Sequence, residues 1–268
     1  MTYLIFFLLF SVNLLPANAG INPINRSETA QCFAKFEIAP ADSLLTDIQS
    51  KIYNAFIKAR MYQKNDALIE LSNQLENLYK AKKQNLILYW RSYLQYYSSI
   101  DYLIKADNKS AENEIKKGIE WMESIEKKNS EDYALLAMLQ SFSIQFNSLK
   151  AMFISVDVKK NADSAITLDS TNLRAWFVYG SNDFHTPAQY GGGKKTEKYL
   201  LKAISLPAQR IANGYLPSWG KEESYELLIK FYIQEENLEM AKKYFQQGVT
   251  AFPDSYIINQ MAPKLAGK

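Results

Sequence analysis

The stretch EESYELLIKFYIQEENLEMAKKYFQQGVTAFP, from Glu222 to Pro253, decides the fold. Tyr225, Leu228 and Tyr232 are spaced to fall on one face of a helix. Ala241 and Gly248 then place small residues on a second helix where the two cross. Small side chains let helix axes approach to roughly 8–10 Å, while Tyr225, Tyr232 and Phe245 fill the space beside the crossing. Pro253 ends the second helix, because it has no amide N–H and its ring clashes with the preceding turn. The stretch predicts an antiparallel helical hairpin.

The same intervals occur 130 residues earlier, where Tyr102, Ala111, Ile115 and Gly118 match Tyr232, Ala241, Phe245 and Gly248 without a gap. Such self-similarity marks stacked units that bury a continuous core together. Further out, Leu44, Ile48, Ile52, Phe56 and Ile57 form one helical stripe. Leu68, Leu71, Leu75, Leu78 and Tyr79 form the next, with Asn65-Asp66 read as the cap between them. A third unit starts after Asn129-Ser130 with Tyr133, Leu136 and Ala137, and ends at Ala165–Ser170. Ala137 to Ala165 spans 28 residues, against 19 from Ile229 to Gly248, so the surplus is expected around Phe146–Val158. A fourth carries Trp176, Tyr179, Gly180 and Ala203, with four surplus residues at the glycine-rich Thr186–Gly193 turn. Leu216-Pro217-Ser218-Trp219-Gly220 bridges to the last unit. No segment from Asp42 onward alternates as a half-buried strand does. The expected fold is all-α: a right-handed α-solenoid of about five antiparallel helical hairpins over residues 42–268.

The spacing resembles the tetratricopeptide (TPR) pattern of W-x₂-L-G-x₂-Y, A-x₃-F and a closing Pro. The chain is also similar to a TPR-like family of secreted bacterial proteins. In that family an Asp-Pro-Asn-Pro-Arg-Ala-like junction leads into a helix followed by a Thr-Pro-x-x-Phe-Gly-Gly-Gly loop. The junction here is Asp169-Ser170-Thr171-Asn172-Leu173-Arg174-Ala175, with both prolines replaced. The loop is Thr186-Pro187-Ala188-Gln189-Tyr190-Gly191-Gly192-Gly193, with Tyr190 in place of Phe. The likeness is firm over 165–255. It implies the helical-repeat fold, export, and binding of peptides or subunits.

Residues 1–19 read as a secretory signal peptide. An apolar run from Tyr3 to Leu15 is closed by Pro16, and Ala17-Asn18-Ala19 supplies a small-x-small cleavage site before Gly20. The run is short for a span of about 20 residues, and no Lys or Arg precedes it. Residues 20–41, with Pro23 and Pro40, read as a linker or extended lead-in. The expected location is periplasmic or secreted, with no transmembrane span in the mature chain. Cys32 is the single cysteine, so no internal disulfide forms. A net charge of +3 is too small for a nucleic-acid surface.

Few residues suggest chemistry. Gly191-Gly192-Gly193-Lys194-Lys195-Thr196 departs from a phosphate-cradling loop, since Ala188 stands where the first Gly belongs and Lys195 where a hydroxyl belongs. The glycines instead suit a positive-φ turn, with anion capture by free amides at the following helix start as the weaker reading. His185 is the only histidine, and local hydrogen bonding explains it better than catalysis with Asp183 and Thr186. No metal-ligand spacing is present. Tyr89, Trp90, Tyr93, Tyr96 and Tyr97 divide between core packing and a groove lining. The expected function is a non-enzymatic scaffold for a protein or peptide partner, without cofactors. Gln189, Tyr190, Gly191, Gly192 and Gly193 are its candidate binding residues. The alternative is a small-molecule-binding accessory component of a solute transport system, which needs a closed pocket rather than an open groove.

Overall fold

A computed structural model of the chain describes residues 43–207 and 214–266. The expected signal peptide, most of the lead-in and Cys32 lie outside the described residues. Five hairpins follow one another: α1 (Ile48–Tyr62) with α2 (Asp66–Lys82), α3 (Asn85–Ile104) with α4 (Asn108–Glu123), and α5 (Ser130–Ser143) with α6 (Ala151–Leu168). Then come α7 (Leu173–His185) with α8 (Thr196–Ser205), and α9 (Lys221–Gln234) with α10 (Leu238–Ala251). Two short helices, α11 (Tyr256–Asn259) and α12 (Ala262–Ala266), close the stack. No strand occurs among the described residues. The chain is thus an all-α, TPR-like solenoid.

The small residues sit where the helices cross. Ala111, Ala203 and Ala241 are fully buried, and a Cβ on Gly248 would come within 3.4 Å of Ile258 and Tyr225. Ala241→Leu is expected to cost about 1–3 kcal/mol through overpacking. Thermal melting checks it, and an unchanged midpoint removes Ala241 from the crossing.

Hairpin starts follow capping chemistry. Asp107, Asn172 and Asn237 side chains accept from backbone amides at the starts of α4, α7 and α10. Asn129 forms a reciprocal capping box with Asp132 at α5. Asn65 corrects the sequence reading: it precedes α2 but makes no side-chain cap bond. Its Oδ1 instead accepts from Lys105 Nζ, tying the first two hairpins together.

The surplus of the third unit appears as two 3₁₀ turns, Ile144–Phe146 and Ser148–Lys150, followed by the long α6. The inner face of α6 carries Val158, Ala162 and Ala165, all buried. Its outer face carries Met152, Phe153 and Val156 at 75%, 73% and 64% exposure, beside Leu149 at 93%.

The Tyr215–Gly220 segment does more than bridge repeats. It crosses the inner side of the solenoid at the edge where α1, α3 and α7 begin. Gly214 lies against Asp47, and the Ser218 amide donates to Gln49 Oε1 at 2.8 Å. Trp90 Nε1 donates to the Tyr215 carbonyl at 2.8 Å, and Trp219 Nε1 to the Tyr89 hydroxyl at 2.8 Å. From the other side, Arg174 Nη1 donates to the carbonyls of Pro217 and Trp219 at 3.3 and 3.4 Å. This strap closes one edge of the superhelix.

Candidate binding site

The first helix of each hairpin faces the inside of the superhelix, and aromatic side chains collect there. On α3, Tyr89, Trp90 and Tyr93 are buried at 0%, 0% and 3% exposure, while Tyr96 and Tyr97, a turn further on, keep accessible surface. The aromatic series of α3 therefore splits into core at the strap edge and lining beyond it. Tyr97 lies 6.1 Å from Tyr53 of α1 and 5.5 Å from Tyr96, edge to face in both cases. Tyr96 meets Phe142 of α5 at 4.9 Å, and Phe142 continues to Phe146 at 6.0 Å. Edge-to-face pairs satisfy the ring quadrupoles and stiffen the wall.

Trp219 forms the floor. It is 3% exposed, stacks on Tyr93 at 6.2 Å and 22°, and meets Phe177 of α7 edge-on at 6.1 Å. α9 follows Trp219 at once and carries Glu223 in its first turn and Glu226 just beyond it. The Glu223 carboxylate accepts from the Gly220 amide at 2.6 Å. Glu226 is held by Lys230 at 2.5 Å.

Tyr96, Tyr97 and Glu223 each keep partial accessibility, yet protein surrounds them closely enough to shift their protonation. Desolvation raises the Tyr96 and Tyr97 hydroxyls above the usual phenol value, and the Glu223 charge raises them further. Glu223 itself is pushed up to about 7 by desolvation first and by the Glu222 charge second. Tyr53 rises through burial and then through the charges of Glu222 and Glu223.

The Thr186–Gly193 turn stands apart as a self-contained structure. Gly191 and Gly193 take φ of +87° and +81°, which glycine adopts without steric cost. A Cβ on Gly192 would lie 1.8 Å from the Thr186 carbonyl oxygen, so the middle glycine is required by the turn's own packing. Asp183 Oδ2 accepts from the Lys195 amide and the Thr196 hydroxyl, both at 2.8 Å. One of the amides proposed to capture an anion, that of Lys195, thus already holds this chain's own carboxylate. Asp183 is thereby committed to α8, and His185 Nδ1 lies 2.7 Å from the Ser181 carbonyl oxygen. The turn leaves Tyr190 73% exposed, with Gln189 and Gly191 exposed beside it and Gly192 buried. The five candidate residues are contiguous on this turn, which connects α7 to α8.

Sequence reasoning missed Tyr53, Glu223 and Trp219. Tyr53 lies beside Ile52 of a stripe read only as core, and Glu223 carries no sequence signal beyond an acid near a helix start. A tryptophan in a Pro/Gly-containing bridge was the one available signal that Leu216–Gly220 is anchored. Among the described residues no group of three His, Cys, Asp or Glu converges as a metal site, and no helix is long and apolar enough to cross a membrane.

No family model matches the chain, and no curated protein matches it. Two solved structures are similar. The HusA haemophore from Porphyromonas gingivalis is 20% identical, with 73% of this chain and 94% of that chain covered and a TM-score of 0.53. YrrB, a TPR protein with an unusual peptide-binding site, is 14% identical, with 78% and 97% covered and a TM-score of 0.37. The haemophore likeness is one of fold.

Proposed function

We propose that the chain is a non-catalytic, exported binding protein that holds a small ligand, or one side group of a larger one, in a recess lined by Tyr53, Tyr96, Tyr97 and Phe142 beside Trp219. One observation supports this most: Trp219 packs on Tyr93 at 6.2 Å, beside the partly accessible Tyr96 and Tyr97, which would close a recess on that side. Small-ligand sites are concave, mostly apolar and carry a few placed polar groups, and Tyr53, Tyr96, Tyr97, Phe142 and Glu223 supply that mixture. The alternative of the two sequence readings is thereby favoured.

Isothermal titration of the mature protein with p-cresol, 2-phenylethanol, phenethylamine and haemin tests it. Haemin belongs in the series because a haemophore is a structural neighbour. At least one compound is expected to bind, and Tyr97→Ala is expected to weaken it by about tenfold, a cost of about 1.4 kcal/mol. A series that leaves no heat, or binding indifferent to Tyr97→Ala, overturns the recess as the site.

The scaffold reading is favoured by a different observation, the exposed Leu149, Met152, Phe153 and Val156 stripe. Contiguous exposed apolar surface marks interaction sites, and Gln189–Gly193 occupies a within-hairpin turn on the same edge of the solenoid as Leu149. A scaffold loses partner capture in Phe153→Asp and in Tyr190→Ala with melting unchanged.

A further inference from the structure

We infer that the outer face of α6 docks the protein on an anionic lipid bilayer. Leu149, Met152, Phe153 and Val156 enter the headgroup boundary, and Lys150 and Lys160 meet the lipid phosphates. The inference does not rest on the recess, and it names lipid as what covers the stripe that the scaffold reading assigns to a protein.

The shape of the stripe carries the first step. Val158, Ala162 and Ala165 bury the inner side of α6. Leu149, Met152, Phe153 and Val156 recur at helical spacing on the other side, so they form one row. Their exposure, from 64% at Val156 to 93% at Leu149, leaves them almost without protein neighbours. A helical peptide is recognised by laying its apolar face into a groove. Side chains this bare form a ridge, and a ridge suits a deformable surface that it can enter. Amphipathic helices lie in a bilayer interface in this way, with the apolar face sunk by about 5–10 Å.

Charge carries the second step. Lys150 directly follows Leu149, and Lys160 continues the row one turn past Val156. Both are exposed, and neither forms an ion pair among the described residues. Lys159 is held by Asp163 at 2.7 Å, and Asp157 is the one carboxylate between Leu149 and Lys160. The other outer helices are balanced instead: Lys80 pairs with Glu76 on α2, and Lys116 and Lys117 pair with Glu112 and Glu114 on α4. The basic surface continues onto α8. Tyr179 donates to Asp163 of α6 and stacks on Tyr199 of α8 at 5.0 Å, and Lys198 and Lys202 stand exposed beside Tyr199. A second copy of the chain seated on this row sets lysine against lysine. Anionic lipid offsets these charges, each lysine near the surface strengthening attachment by about fivefold.

Flotation of the mature protein with vesicles tests the inference, with equimolar phosphatidylglycerol and phosphatidylcholine compared against phosphatidylcholine alone. Expected is capture by the anionic vesicles, about tenfold weaker on the neutral ones and reduced by added salt. Phe153→Asp lowers capture by about tenfold through the lost apolar anchor, and Lys150→Glu with Lys160→Glu by about tenfold or more. All three side chains are exposed, so melting is unchanged. Phe153→Trp reports depth: its added fluorescence is quenched by lipids brominated on the acyl chains. Equal capture by both vesicle types, or capture indifferent to Phe153→Asp, overturns the docking face. Absence of capture overturns it too. A dimer that Phe153→Asp dissociates then gives the row to a second copy, and a protein partner lost in that variant gives it to the scaffold reading. Recess-ligand binding is unaltered in these variants, so a failure here leaves the recess standing.

Discussion

Arg174→Ala will destabilise the protein by about 3–5 kcal/mol, the range for removing one partner of a buried ion pair. Arg174 is 0% exposed. Its guanidinium engages both carboxylate oxygens of Glu131 from the preceding hairpin and donates to the Pro217 and Trp219 carbonyls of the strap. Alanine leaves the 6%-exposed Glu131 carboxylate buried without its cation and two strap carbonyls without a donor. The planar fork of arginine makes this bidentate geometry, which lysine does not reproduce. Urea denaturation measures the loss. The double variant Arg174→Met with Glu131→Leu is expected to recover most of it, since apolar replacement of a whole buried pair is often neutral or better. A single variant within 1 kcal/mol of wild type, as a rough bound, places Arg174 outside the buried network.

The hairpins were legible because their signal is local. Ala241 and Gly248, or Ala111 and Gly118, mark a helix crossing through spacing alone, and a crossing involves neighbouring hairpins. The surplus in the third unit was also placed correctly at Phe146–Val158, since counting residues against a repeat needs no tertiary knowledge. That it would present Leu149, Met152, Phe153 and Val156 outward was not legible, because an apolar helical stripe reads the same whether buried or bare. The recess was illegible for a different reason. Tyr53 meets Tyr97, and Trp219 meets Tyr93, only because separate hairpins and the strap pack together, bringing together residues some 170 positions apart, as Gln49 and Ser218 show. Asn65 failed as a cap for the same reason: Lys105, from the next hairpin, competes for its oxygen.

Trp219→Ala will cost about 3–5 kcal/mol, as large aromatic deletions in a core do, and will also remove ligand binding. The side chain is 3% exposed and ties α3 to α7: it meets Tyr93 of α3 by stacking, Phe177 of α7 by an edge contact, and Tyr89 by its indole N–H. Its loss leaves a cavity between α3, α7 and the strap, opening the proposed recess. Stability alone does not separate a floor from an ordinary core residue, so Trp219→Phe is the partner measurement. Phenylalanine keeps an aromatic floor and loses the N–H donor to Tyr89, a cost of about 1–3 kcal/mol for the hydrogen bond left unmade. Under the floor assignment, Trp219→Phe melts lower than wild type yet retains binding of whichever recess ligand the titrations identify. Trp219→Ala, assayed at a temperature where far-ultraviolet circular dichroism shows it folded, does not bind. Retained binding in the folded alanine variant separates the strap from the site: Trp219 then holds the repeats together, and the ligand contacts belong to the Tyr53, Tyr96 and Tyr97 wall alone.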